Sequence, residues 1–161
     1  MPNLPLLVPV VVVGVLIAVF GGPALARRLH CPTWVAVVLV VSLTLVIGVT
    51  LTPQSLSGDL GERTWPFTWI LVLLNERILN VLLFVPLGLT AALIGLRVRG
   101  IAVVAVLVLP WVVEGIQNSV GWLSRDSQWQ DVVDNTLGAA IGIGIGLLVR
   151  RRMSLRSRES P

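Results

Sequence analysis

The sequence predicts an all-α protein, a polytopic transmembrane helical bundle of about five spans with the N-terminus outside and the C-terminus inside. Three observations carry that reading. Of 161 residues, 55% are hydrophobic and only 12% are charged, about half the charged share of an ordinary soluble domain, so the chain cannot coat a globule with polar surface. Five apolar runs approach the roughly 20 residues that a bilayer core of about 30 Å requires. The arginines cluster between alternate runs, as orientation in a membrane demands. A soluble enzyme, a nucleic-acid reader and a disordered tail are excluded on composition. The net charge of +4 and the pI near 11.3 do not revive nucleic-acid binding, because the charges separate apolar runs and do not share one soluble face.

The runs follow in order. The first is Leu6 to Ala26; Met1-Pro2-Asn3 carries no positive n-region, so it reads as a retained span and not a cleaved signal. The second is Thr33 to Leu51. The third begins near Arg77 or earlier and ends at Leu96. The fourth is Ile101 to about Val120, and the fifth roughly Val132 to Val149. Val-rich runs suggest strands in water, but in lipid a short run without dyad alternation satisfies its backbone only as a helix. The segment Trp65 to Leu74 reads as interfacial, anchored by its two tryptophans, in preference to an extension of span three. The loop Thr52 to Pro66 has surface composition. Residues 6–149 therefore form the bundle, and 150–161 a cytoplasmic Arg-rich tail that anchors topology and attracts anionic lipid.

Charge sets the orientation. All twelve basic residues are Arg, and nine of them fall between spans one and two, between three and four, and after span five. On a five-span count these segments share the inner side. The outer side holds three Arg against seven acids, a net of −4, and the inner side nine Arg against Glu159, a net of +8. Cys31 is the sole cysteine and excludes an internal disulfide. His30 beside it makes no metal site, because two ligands do not suffice.

Polar groups inside a span default to function. Asn80, Glu114, Gln117, Asp131, Asp134 and Asn135 all fall toward the outer leaflet, Glu114 roughly 10 Å deep at 1.5 Å per residue. Asp131 and Asn135 share a helix face, which continues through Gly138, Gly142 and Gly146, two overlapping G-x-x-x-G motifs that admit a close partner helix, from this chain or a second copy. In span three Asn80, Phe84 and Gly88 share a face, and Pro86 breaks a backbone hydrogen bond one turn below Asn80. Arg125, in a loop with two tryptophans, could pair with Glu114 or Asp131, or clamp a phosphate or carboxylate. Structural alternatives stand beside each: Asn80 satisfying the backbone opened by Pro86, Asp131 and Asp134 serving the N-terminal dipole of span five, Arg125 and its tryptophans anchoring the interface. Glu114 is hardest to explain structurally, since a carboxyl at that depth needs a partner or a proton.

The order of these pieces resembles the VanZ-like family. The matching elements are N-x-x-x-F-x-P-x-G from Asn80 to Gly88, Glu114-x-x-Gln117, Arg125, and Asp131-x-x-x-Asn135-x-x-Gly138 with Gly142, spanning about residues 75–146; the Thr52-Pro53 end of span two is similar too. The resemblance implies a small multi-span membrane protein, in a group named for a member that raises resistance to the glycopeptide teicoplanin. It carries over no catalytic residues. By position it points to Asn80, Glu114, Gln117, Arg125, Asp131 and Asn135 as ligand-binding residues, with Gly88, Gly138, Gly142 and Gly146 in helix packing. The chain departs at Gln128, where the family often has an acid three residues after the Arg, which weighs against a metal or acid–base role for that loop.

Three functions are consistent with the sequence. The first is a multi-pass cell-membrane protein whose outer-leaflet pocket engages a lipid-linked cell-wall precursor or a glycopeptide, with no cofactor. The second is a membrane-embedded enzyme with Glu114 and Asp131 as catalytic candidates, working as acid and base or holding Mg²⁺ or Ca²⁺ with Asn135 on an envelope lipid head group. No Ser, Cys or His nucleophile arrangement accompanies them. The third is transport, for which five short spans with apolar inner halves offer little pathway. The bilayer is the expected partner in every case, and a second copy of the chain is a further candidate through span five.

Overall fold

The computed structural model describes residues 4–51, 76–119 and 129–159, all in helices and their short connections. Five helices follow one another: α1 (Leu4–Leu29), α2 (Thr33–Leu51), α3 (Glu76–Leu93), α4 (Leu96–Ser119) and α5 (Trp129–Glu159). Among the described residues there is no strand. Four of the helices, α1, α2, α4 and α5, are long and apolar enough to cross a membrane, and Arg77–Leu93 within α3 is a shorter apolar helix. The Trp65 to Leu74 segment, Thr52-Pro53 and Arg125 lie outside the described residues.

Several boundaries differ from the sequence reading. Span three closes at Leu93, not Leu96, because Gly95 starts a new helix: its carbonyl accepts from the N–H groups of Val98 (3.2 Å) and Arg99 (3.0 Å). Arg97 and Arg99 are therefore in the first turns of α4 and not in a loop. Helix α5 runs on through the arginines to Glu159, so the tail is a continuation of the last span. At 31 residues it measures roughly 46 Å, about 15 Å more than the hydrocarbon core. Arginine is a good helix former, and cations suit a helix C-terminus.

The α1–α2 connection is a Schellman-type cap. The Cys31 N–H donates to Ala26 O (3.1 Å) and the His30 N–H reaches toward Arg27 O (3.4 Å), with His30 at φ 51° in the left-handed position usually given to glycine. Pro32 then ends any continuation, and its carbonyl receives the first N–H groups of α2. The α3–α4 corner docks on this cap, the Gly95 N–H donating to Leu29 O at 2.9 Å. A Cβ on Gly95 would come within 2.8 Å of that same carbonyl and of the His30 Cβ, so a glycine is required by proximity. From α5, the Arg150 Nη1 donates to Ile94 O (3.2 Å). Both connections and α5 thus meet at one end of the bundle.

Burial raises the Cys31 thiol above its ordinary value, with the Ala36 N–H opposing weakly. Less thiolate is present near neutrality, and thiolate is the reactive form. Maleimide labelling of detergent-solubilised protein should be slower at pH 7.5 than for a free peptide thiol, and the gap should narrow as pH rises through the elevated pKa. Equal rates across the range would contradict the packing of this cap.

The bundle is apolar on its outer surface as well as in its core. Val46, Phe84, Leu87, Ala91, Val106 and Ala139 make the central cluster, drawn from α2, α3, α4 and α5. Small side chains dominate the core, whereas Phe20, Ile101 and Leu148 stand on the outer surface, as a lipid-facing envelope requires. α1 packs antiparallel on α2, with Gly14 against Thr44 and Gly22 against Val37. Hydroxyls in α2 stay within the helix: Ser42, Thr44 and Thr50 donate to the carbonyls of Val38, Val40 and Val46.

Candidate polar site at the head of α3 and α5

The site is built on the α3–α5 pair, which runs parallel in a fixed register. Positions 57 apart face each other, beginning with Arg77 and Asp134. The same offset sets Gly138 on the Val81 carbonyl, Gly142 on the Val85 carbonyl and Gly146 on the Leu89 carbonyl. A Cβ at Gly138 or Gly142 would overlap backbone atoms of α3, and Gly88 is seated in the same way on the Ala139 carbonyl. The G-x-x-x-G stripe is therefore consumed inside the chain, where small residues let two backbones touch.

That close approach brings the polar residues together at the pair's N-terminal ends. The Arg77 guanidinium donates twice to the Asp134 carboxylate, Nε to Oδ2 at 3.0 Å and Nη2 to Oδ1 at 3.1 Å. The Asp134 side chain is 6% exposed and that of Arg77 is 61% exposed, so the arginine reaches from the rim to neutralise a buried carboxylate. The Asn80 Nδ2 donates to Asp131 Oδ1 at 2.9 Å, across a separation of 51. Gly88 and Ala139 keep the same separation lower down, and it places Phe84 level with Asn135 between them. Phe84 is fully buried and Asn135 nearly so.

Two polar atoms in this layer are buried without a hydrogen-bond partner, Asn135 Oδ1 and Thr136 Oγ1. An unsatisfied buried group costs on the order of 1–3 kcal/mol, and such groups are rare enough in native proteins to mark strain or a ligand position.

The structure brings Asn80, Asp131 and Asn135 to one layer and sends Gln117 elsewhere. Gln117 Nε2 donates to Thr50 O at 2.7 Å, tying α4 to one of the last carbonyls of α2. Glu114 is half-buried one turn earlier on the same face of α4. Asn80 does not serve the gap at Pro86, since its amide is committed to Asp131. Below Pro86 it is Thr90 that hydrogen-bonds the α3 backbone, at Pro86 O and Leu87 O. Trp129 is the first residue of α5, not part of a loop, and its ring meets Trp111 of α4 edge-on at 5.1 Å, a favourable aromatic geometry. Among the described residues, no group of three or more His, Cys, Asp or Glu is placed to hold a metal ion.

Sequence reasoning missed Arg77 as a member of this layer, counting it only for orientation, and gave Asp134 to the helix dipole. The signal was present in the spacing. Arg77 precedes Asn80 by three positions, as Asp131 precedes Asp134, so each helix offers two polar residues on adjoining faces.

The model of the VanZ/LLP1 family matches residues 33–150. No curated protein and no solved structure matches the chain.

Proposed function

The chain belongs to the VanZ/LLP1 family, and from that premise we propose that it is a multi-pass cell-membrane protein whose polar layer receives a ligand at the outer face of the cell envelope. The ligand class is a lipid-linked cell-wall precursor or a glycopeptide antibiotic such as teicoplanin, both rich in amide and hydroxyl groups. The observation that carries the reading is the pair of buried, unpartnered oxygens of Asn135 and Thr136. One accepts and the other can donate or accept, beside a carboxylate–amide pair and a carboxylate–guanidinium pair. An amide-bearing ligand satisfies both. The charge asymmetry supports the orientation: the arginine-rich connections and the end of α5 face the cytoplasm, and the acid-rich end faces out.

Binding is better supported than catalysis. Asp131, one of the two catalytic candidates, already accepts a hydrogen bond from Asn80. Asp131 would therefore act first as a recognition group.

The test is expression in a glycopeptide-susceptible host. The intact chain should raise tolerance to teicoplanin. Asn135→Ala and Glu114→Ala should each abolish the gain at unchanged membrane levels of protein. Gly144→Ala, at a site with nothing within 4 Å of an added Cβ, should keep it. Full tolerance in both polar variants would overturn the reading.

A further inference from the structure

The opposite end of the bundle holds a second polar feature that the outer layer does not explain. Arg99, at the end of the first turn of α4, has its Nε and Nη2 buried with no hydrogen-bond partner. Its charged neighbour is another cation, Arg150 of α5, which is held in place by Ile94 O. The acids whose side chains are described, Glu114, Asp131 and Asp134, all lie at the other end of their helices. Two guanidinium groups gathered without a counter-charge repel each other, and a half-buried pair is poorly screened. Gly95 sits at the α4 N-terminus, where the helix dipole adds further positive potential. Ile101, Val104 and Val108, farther along α4 than Arg99, are 75%, 60% and 47% exposed and present an apolar stripe to acyl chains.

We propose that Arg99 and Arg150 clamp one phosphate group, that of an anionic membrane phospholipid whose chains lie along α4. Guanidinium forks match phosphate oxygens, and a basic pocket between helices is a known manner of headgroup binding. The exposed Ile101, Val104 and Val108 favour a lipid over soluble phosphate as the source. The site pins the α3–α4 corner to α5 at the end remote from the Asn135 layer.

The full chain, purified in detergent, would be offered phosphatidylglycerol or phosphatidylcholine in mixed micelles. Retained lipid would be measured by native mass spectrometry. Wild type should hold one phosphatidylglycerol and no phosphatidylcholine. Arg99→Gln should weaken retention by roughly tenfold or more, as loss of charged hydrogen bonds predicts. Arg99→Lys should weaken it less, and Arg97→Gln, at an exposed position on the same helix end, should leave it unchanged; circular dichroism confirms folding of each. Equal losses from Arg97→Gln and Arg99→Gln would reduce the effect to diffuse charge and overturn the site. Saturation by millimolar inorganic phosphate, dependent on Arg99 and without lipid retention, would overturn the assignment to lipid.

Discussion

Replacing Gly142 by leucine will separate α3 from α5 and destabilise the folded protein by about 3 kcal/mol or more, at the upper end of what overpacking costs. The reason is geometric. The added Cβ meets the Val85 carbonyl and the Leu89 N–H of the facing helix, and neither can move without the whole of α3. Backbone in a packed membrane helix has no rotamer to offer. The same change at Gly144, two residues away and facing open space, should fall within about 0.5 kcal/mol of wild type, as surface substitutions do. Unfolding in mixed micelles by increasing SDS measures both. Similar losses at the two positions would show that the α3–α5 register is not the one described.

The second large effect belongs to Arg77 and Asp134. Asp134→Ala removes a buried carboxylate and leaves an arginine whose side chain is already 61% exposed. Arg77→Ala is the more damaging change, because it leaves the carboxylate buried without its counter-charge, the situation that burial penalises most. The double variant should be no worse than Arg77→Ala alone and better than the sum of the two. A cycle of the four proteins in the same SDS assay reads that coupling directly. Additive losses would mean that the two side chains do not share one interaction.

The fold was legible in the sequence because the membrane leaves few choices. Length and apolarity of the runs at Leu6, Thr33, Ile101 and Val132 identify helices without any help from periodicity. The boundaries were less legible where local chemistry outweighs hydropathy. Gly95 starts α4 by accepting two N–H groups, an event hidden within the apolar-to-basic transition after Leu93. α5 continues through Arg150 and beyond because arginine favours helix, although hydropathy falls there. The site was half legible. Spacing alone put Asp131 and Asn135 on the glycine face, and Asn80 on the face of Gly88. Register between two helices is not written in either helix alone, so Arg77 with Asp134 and Asn80 with Asp131 emerged only from coordinates. Gln117 looked like part of the same layer because depth is visible in a sequence and direction across the bundle is not.

The central claim is that the glycine stripe sets α3 and α5 in a register that gathers Asn80, Asp131 and Asn135 into one layer. Cysteine cross-linking in membranes tests it most directly. In a Cys31→Ser background, Asn80→Cys with Asp131→Cys should form a disulfide readily under mild oxidation. Ile78→Cys with Asp131→Cys, which moves one cysteine to an exposed position on another face of α3, should not. Efficient bridging in the second pair and none in the first would contradict the register and dissolve the site.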